Sequence, residues 1–311
     1  MDRHHIGVLC ATAAGGVERS ILPTRLGLAD ETLSGVVETL IDRELLDTID
    51  GVIECSPRLT YDVETVTSLL PMGYEVTWYD TLASTNEHAR ELLEPGDADR
   101  LLVIAERQTA GRGRRGRQWS SPTGGIWASV GDGRHLPVDT AWIEQLAMAV
   151  AVADATHTLG FDSAIKWPND VNDAHGRKLA GVLLNTRSAG ETRTRTICGV
   201  GINANVDAST LPEGSMSLQT LAGPIRRAPF LAYVIHTFEQ LRTDPASTLA
   251  MWSSHSETVG RTVRVETPDG YHTGIAKGLD DAGALVIETR QGTQTISLGH
   301  CERLRYVQPS C

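Results

Sequence analysis

The sequence predicts an α+β protein organised in three regions along its 311 residues. Short helical patterns and candidate strands occupy residues 1–66, and residues 67–258 alternate helical segments with strands that contain glycine. Residues 259–311 carry short strands separated by turns. Because a chain of this length can form two or three domains, we expect each region to be one domain.

The composition is typical of a globular protein, with 41% hydrophobic residues and a net charge of −11. The sequence contains neither a run of about eighteen apolar residues nor the pattern of a signal peptide. Its five cysteines form no C-x-x-C pair, and the spacing of cysteine and histidine suits no metal site. We therefore expect a cytoplasmic protein with reduced thiols and no membrane attachment.

The first region has the pattern of a winged helix-turn-helix domain. Helical spacing begins at Ile6, continues through residues 21–26, and starts again after Asp30, which we predict as an N-cap. Residues 52–55 and 58–61 predict two short strands. Three short helices followed by a hairpin usually indicate DNA binding.

The charge of this region argues against DNA binding. Residues 1–72 hold five basic and twelve acidic side chains. The face of the third helix that its apolar stripe leaves exposed carries Glu31, Ser34, Glu38 and Asp42. Since affinity for DNA comes largely from Lys and Arg contacts to phosphates, we expect poor or no DNA binding, with operator binding as the alternative.

The second region begins with a candidate strand at residues 76–79 that leads into a polar helix N-terminus. Ser84 and Glu87 have the spacing of a capping box for a helix that extends to about Leu93. Thr85 and Asn86 add polar donors at the same helix end, where an anion or a carbonyl group would be favoured.

Residues 111–119, Gly-Arg-Gly-Arg-Arg-Gly-Arg-Gln-Trp, form what we call the arginine loop. No carboxylate occurs from Arg107 to Gly131, although the whole chain is acidic. Glycine lets the backbone approach a ligand closely, and arginine offers paired donors to phosphate or carboxylate. The pattern predicts a loop that closes over an anionic ligand; a basic surface loop is the simpler alternative.

The same letters also fit the G-x-G-x-x-G pattern of dinucleotide-binding folds. A strand-like run at residues 101–105 precedes them, but residues 118–125 are typical of turns and residues 126–130 of another strand. A dinucleotide site needs a helix at this point. We therefore reject that fold, and no P-loop motif occurs in the sequence.

Polar residues gather at predicted strand ends farther along the chain. An apolar helix ending near Gly160 is followed by the segment 166–170, in which Pro168 fixes a turn between charged and amide side chains. Lys178 precedes a buried strand, and the strand at 196–202, interrupted by glycine, ends in Asn203. Together with the arginine loop, these residues indicate one ligand site.

The third region predicts strands at residues 261–266, 271–279 and 284–288, separated by turns at 268–270 and 280–283.

Residues 76–305 resemble the biotin protein ligases. Five motifs stand in that family's order and at about its spacing, namely Ser84 to Asn86, Gln108 to Trp119, Lys166 to Asp170, Arg177 to Gly181 and Gly199 to Asn203. The N-terminal helices extend the resemblance to the long, bifunctional ligase/repressor type. It implies a winged helix-turn-helix at 1–66, a mixed-sheet catalytic domain like class II synthetases at 67–258, and an SH3-like β-barrel at 259–311.

The resemblance also implies a reaction and its partners. Biotin and ATP, the latter with Mg²⁺, would condense to biotinyl-5′-AMP, and the biotinyl group would pass to a lysine of the biotin carboxyl carrier protein of acetyl-CoA carboxylase. A homodimer and a secondary role as biotin operon repressor belong to the same expectation. Gly299-His300-Cys301 departs from the family's Gly-Asp-Val and so removes or reverses a charge.

Residue roles are carried over by motif. Catalysis is expected of Arg112, Arg114 and Lys178; biotin binding of Ser84, Thr85, Asn86, Gln108, Arg112, Gly113, Arg114, Lys178, Gly181 and Leu183; and ATP or adenylate binding of Gly111, Arg115, Gly116, Trp119, Asn169, Asp170 and Asn203, with Asp170 also the candidate metal ligand. Cations are expected because a carboxylate must attack a phosphate, and two anions repel each other.

Two other functions remain open. A lipoate–protein ligase would use the same adenylate chemistry, although the complete Gly-Arg-Gly-Arg-Arg-Gly loop favours biotin. A catalytically silent, biotin-sensing transcription regulator would not need Lys178 or the arginine loop.

Overall fold

The structure, a computed structural model, describes residues 1–93, 100–137, 140–188 and 193–307. Cys311, one of the predicted reduced thiols, lies outside these ranges, whereas the other four cysteines are free and buried. None of the helices in the described ranges combines the length and the apolar character that crossing a membrane requires.

The N-terminal region contains three helices and a small sheet. Its elements are α1 (Arg3–Ala11), β1 (Val17–Glu18), α2 (Leu22–Leu26), α3 (Asp30–Asp42), β2 (Leu46–Ile49) and β3 (Val52–Cys55), with the strands in the order β1-β3-β2. Asp30 is the first residue of α3 and Ala29 is its N-cap, so the predicted cap was one residue late.

The predicted strand at residues 58–61 was wrong. β3 instead pairs with β2, and the chain reverses at Asp50 and Gly51, which have φ angles of 52° and 81°. An Asp-Gly pair accommodates the positive φ angles of a two-residue hairpin turn. The prediction overlooked this signal and placed the hairpin one strand too late.

The N-terminal region shares a core with the rest of the molecule. Helix α4 (Val63–Leu69) spans the predicted boundary at residue 66. Ile6 and Leu9 of α1 are fully buried and belong to the same apolar cluster as Leu146 and Phe230 of the central region. The boundary itself stays a prediction.

The central region is a seven-stranded mixed sheet in the order β4-β5-β6-β10-β9-β8-β7. Its elements are β4 (Glu75–Leu82), α5 (Thr85–Leu92), β5 (Arg100–Gln108), β6 (Ile126–Pro137), α6 (Trp142–Thr158), β7 (Ser163–Lys166), β8 (Asp170–Asp173), β9 (Lys178–Ser188), β10 (Arg193–Ile202), α7 (Leu218–Ala222), α8 (Arg227–Leu241) and α9 (Pro245–His255). Only β4 and β5 pair in parallel among the described strands, and α5 lies in the connection that a parallel pair needs.

The two faces of this sheet have different neighbours. The Cys198 thiol points to a carbonyl of α6, whereas a side chain at the next residue, Gly199, would meet Asn86 of α5. Alternation along a strand explains the difference. The predicted apolar helix is α6, with Gly160 at a φ of 93° just beyond its end; the functional side chains lie on the opposite face.

The C-terminal region is a five-stranded antiparallel sheet in the order β14-β13-β12-β11-β15. Its strands are β11 (Thr262–Thr267), β12 (Gly270–Leu279), β13 (Leu285–Thr289), β14 (Gly292–Ile296) and β15 (Arg303–Tyr306). The first three confirm the predicted strands. Residues 297–302, which we call the C-terminal turn, connect β14 to β15.

Candidate functional site

A cavity of about 340 Å³ lies on the face of the central sheet opposite α6. The N-terminus of α5, the arginine loop and the turn between β7 and β8 form three of its walls. Strands β9 and β10 form its floor, and the C-terminal turn closes the fourth side. Six segments from three parts of the fold therefore meet at one site.

The α5 wall is a network of buried hydroxyl and amide groups. The Thr85 amide donates to Gln108 Oε1 at 2.8 Å, and its hydroxyl lies 2.9 Å from the Ser129 hydroxyl. Asn185 donates to Asn86 Oδ1 at 2.6 Å. Side chains fixed in this way present polar atoms at set positions, which suits recognition of a neutral polar ring or a carboxylate.

The predicted capping box is half formed. The Ser84 hydroxyl accepts from the Glu87 amide at 3.4 Å, as an N-cap should. The Glu87 carboxylate binds Arg90 at 2.9 Å and Arg112 at 3.4 Å. Glu87 therefore ties the first half of the arginine loop to α5.

Two glycines of the cavity floor lie directly under the indole of Trp119. Gly181 and Gly201 are cross-strand partners in β9 and β10. A Cβ atom would lie 3.1 Å from the Trp119 ring at Gly181 and 2.5 Å from Trp119 Nε1 at Gly201. Trp119 Nε1 is buried and has no hydrogen-bond partner among the described residues, so a larger residue at either glycine would displace this ring.

Lys178 lines the cavity beside an acid and an aromatic ring. Its Nζ lies 2.6 Å from Asp170 Oδ1 and 4.8 Å from the centroid of the Trp119 ring. Asn203 donates to the backbone carbonyl of Lys178 at 3.3 Å and so holds the start of β9 from behind. The lysine ammonium is thereby held between an acid and an aromatic face, and the Lys178 side chain is about 29% exposed.

Three arginines of the loop contact the C-terminal turn. Arg114 Nη2 donates to the carbonyls of Leu298 at 2.6 Å and Cys301 at 2.9 Å, and burial lowers the pKa of its guanidinium. Arg115 Nη1 lies 2.9 Å from Glu302 Oε1, and Arg117 donates to the Glu302 carbonyl at 3.4 Å. The loop is therefore held at both ends.

The lining of the cavity is strongly cationic. Six basic side chains line it, namely Arg112, Arg114, Arg117, Lys166, Lys178 and Arg303. Two carboxylates, Asp170 and Glu302, accompany them. In a chain with a net charge of −11, this local excess of cations indicates an anionic ligand.

Four predicted residues stand outside the lining. Asn203 lies behind Lys178, and Arg115 points to the C-terminal turn. Gly111 packs against the backbone of Trp119, and Gly116 adopts a φ of 72° within the loop. The remaining predicted site residues all line the cavity.

The sequence prediction missed several lining residues. Lys166 lay within a quoted motif but was assigned no role. Ser129 has no signal beyond strand alternation, and Glu302 and Arg303 come from a region distant in sequence. As for metal binding, the described residues contain no group of three or more His, Cys, Asp or Glu side chains suited to an ion.

Comparisons with known proteins agree with this geometry. The Biotin/lipoate A/B protein ligase family matches residues 78–203, and the Biotin protein ligase C terminal domain matches residues 258–304. The bifunctional ligase/repressor BirA of Bacillus subtilis is 32% identical over 237 residues, which cover 72% of this chain and 73% of that protein. This chain belongs to the biotin protein ligase family.

Other members extend the comparison. The biotin–acetyl-CoA-carboxylase ligase of Mycobacterium tuberculosis is 34% identical over 243 residues, covering 73% of this chain and 89% of that one. The solved structure of the Aquifex aeolicus biotin protein ligase in complex with biotin and ATP superposes with a TM-score of 0.58 at 27% identity, covering 75% of this chain and 99% of that chain. The family fold thus includes the mixed central sheet and the C-terminal β region.

Proposed function

We propose that this protein is an ATP-dependent biotin protein ligase that forms biotinyl-5′-AMP and transfers biotin to a lysine of a biotin carboxyl carrier protein. The observation that carries the proposal is the cavity in which Lys178, Arg112 and Arg114 face a polar wall and a glycine floor. Relatives named as biotin–acetyl-CoA-carboxylase ligases and a neighbour that binds biotin and ATP support it.

The first step joins two anions, the carboxylate of biotin and the α-phosphate of ATP. Lys178 is the cation we place between them, because it lines the cavity and its ammonium lies 2.6 Å from Asp170 Oδ1. Arg112 and Arg114 stabilise the charge that develops as the carboxylate oxygen attacks phosphorus and pyrophosphate leaves. In the second step, the amine of the acceptor lysine attacks the carbonyl carbon and AMP departs.

We assign different parts of the cavity lining to the two substrates. We assign Ser84, Thr85, Asn86 and Gln108 to the polar ring and carboxylate of biotin, and Gly113, Gly181 and Leu183 to its remaining surface. Trp119 and Asn169 would border the nucleotide. Gly111, Arg115, Gly116 and Asn203, which lie outside the lining, would act through the shape of the loop and the position of Lys178.

A magnesium ion would enter with the triphosphate. Magnesium usually binds through one or two carboxylates together with substrate phosphates. Asp170 lines the cavity and offers such a carboxylate, although it pairs with Lys178 at 2.6 Å. When bound, the ion would neutralise phosphate charge.

The remaining expectations complete the proposal. The N-terminal elements suit a winged helix-turn-helix at 1–66 with weak or no DNA binding, since Glu31, Glu38 and Asp42 of α3 are exposed. Residues 67–258 would be the catalytic domain, and 259–311 an SH3-like barrel. A cytoplasmic homodimer remains part of the proposal, and a gel shift at physiological salt would test operator binding.

One assay tests the proposed function directly. The purified protein is incubated with biotin and ATP labelled in the α-phosphate, and the products are separated. Labelled biotinyl-AMP is the expected product, and lipoate in place of biotin serves as the control for the lipoate ligase alternative. Absence of any biotinyl adenylate would refute the proposal.

A further inference from the structure

The arginine loop contacts the C-terminal turn as well as lining the cavity. Three of its arginines reach that turn, and two of them meet Glu302, one through the carboxylate and one through the carbonyl. Among the described contacts between the loop and the turn, only the Glu302 carboxylate is a charged partner; the others are backbone carbonyls. Its side chain is about 32% exposed, and that of Arg115 about 38%.

The backbone conformation of Arg115 indicates that neighbouring contacts hold this residue in place. Its φ angle is 56°, a left-handed conformation that is uncommon for residues other than glycine. Such a conformation persists where neighbouring contacts determine it. Here the contacts are the Glu302 carboxylate at 2.9 Å and the Gly299 carbonyl at 3.2 Å. The Arg115 side chain therefore anchors the loop instead of lining the cavity.

This anchoring leaves the ligand-binding capacity of the loop intact. A guanidinium has five N–H donors. Within the described residues, both bonds from Arg114 to the C-terminal turn use Nη2, so its other nitrogens remain available to the cavity. The loop can thus be closed against the turn and still present cations to an anion.

We propose that Glu302 is a positioning residue that holds the arginine loop closed over the cavity through Arg115. For its consequence, retention of the adenylate, the proposal rests on the proposed function. Glu302 touches no reacting atom in this scheme; removing its carboxylate raises the frequency with which the loop opens.

Limited proteolysis measures that opening without any ligand. Trypsin cuts after arginine, and the loop offers Arg112, Arg114, Arg115 and Arg117 when it unfolds locally. In Glu302→Ala we expect loop cleavage about two- to fivefold faster than in the natural protein, as suits a partly exposed ion pair. The matched control is Glu288→Ala, a carboxylate of the same sheet that pairs with Lys277 at 2.8 Å and should leave the rate unchanged.

Two further measurements exclude a general loss of structure. The thermal midpoint of Glu302→Ala should equal that of the control variant. Within residues 111–119, Arg115→Glu combined with Glu302→Arg should be cleaved more slowly than Arg115→Glu alone, because the swapped pair restores the contact; cleavage after position 302, where the swap adds an arginine, is counted separately. Loop cleavage of Glu302→Ala at the rate of the natural protein, or a swapped pair no better than the single variant, overturns the proposal.

The rate of biotinyl-AMP release tests the role of Glu302 separately from the proposed ligase function. If Glu302 closes the loop, biotinyl-AMP should leave Glu302→Ala about two- to fivefold faster. A natural protein that forms no biotinyl-AMP refutes the proposed function, whereas the trypsin comparison still decides the role of Glu302.

Discussion

Two clusters of arginine and carboxylate side chains lie on opposite faces of the central sheet. In the first, Arg242 contacts Asp132, Glu144 and Glu239. The side chains of Arg242, Asp132 and Glu144 are at most 2% exposed. In the second, the cavity, six basic side chains accompany two carboxylates and several of them are partly exposed. In the described contacts, the first cluster places three carboxylates around one arginine, whereas the second has an excess of cations.

The difference shows how charge balance separates a structural cluster from a binding site. Buried charges must find partners within the protein, and Arg242 is enclosed by its own carboxylates. An accessible excess of one sign is balanced by a ligand of the opposite sign. Substitutions should therefore affect stability at Arg242 and ligand chemistry at the cavity.

The largest effect is expected at Arg242. Arg242→Leu would leave the buried Glu144 carboxylate without the Arg242 guanidinium, so we expect a loss of about 3–5 kcal/mol in the free energy of unfolding. Urea denaturation followed by tryptophan fluorescence measures it. A loss below about 1 kcal/mol would contradict the structural role of the cluster.

Lys178 tests the role of the cationic cavity. Lys178→Met keeps the length of the side chain but removes the cation, so we expect adenylate formation to fall by about 10²–10³-fold. The free energy of unfolding should change by less than about 1 kcal/mol. Lys277→Met, which removes a lysine paired with Glu288 away from the cavity, is the control and should retain full activity.

The cavity could be predicted in large part because its residues occur in compact motifs. Glycine and arginine recur within the nine residues of the arginine loop, and Lys178 is the first residue of β9. The Glu302 contact could not be predicted, since Glu302 lies 187 positions after Arg115 and no local pattern joins them. The Arg242 cluster was not predicted either, because its carboxylates come from three separate elements, β6, α6 and α8.

The fold shows the same division between local and distant signals. Strand alternation predicted β11, β12 and β13, whose partners are adjacent in sequence. The shared core of α1 with α8 required knowledge of packing between distant segments. The sequence pattern predicted three regions, but it did not predict the contacts between them.

Arg114 should have an intermediate effect on ligand binding. Arg114→Ala removes charge-assisted hydrogen bonds, so we expect biotinyl-AMP to bind about 10–100-fold more weakly to a protein that still folds. Isothermal titration measures the affinity, with Arg264→Ala, at an exposed residue beside Tyr271 on the C-terminal sheet, as the control. Unchanged affinity in Arg114→Ala would count against its role.

Glu144 provides the smallest and most selective test. Burial raises its pKa from 4.5 to about 7, so the folded state binds more protons than the unfolded state between these values. The resulting stability is present at acidic pH and is lost as the pH rises through about 7. Glu144→Gln stays neutral and should lack this dependence.

Between about pH 6 and about pH 8 the free energy of unfolding of the natural protein should therefore fall by about 1 kcal/mol relative to that of Glu144→Gln. Urea titrations of both proteins at the two pH values measure this difference. Adenylate formation should be equal in the two proteins at each pH, because Glu144 lies on the face of the sheet away from the cavity. A variant with altered activity but unchanged pH dependence of stability would show that the two clusters are coupled across the sheet.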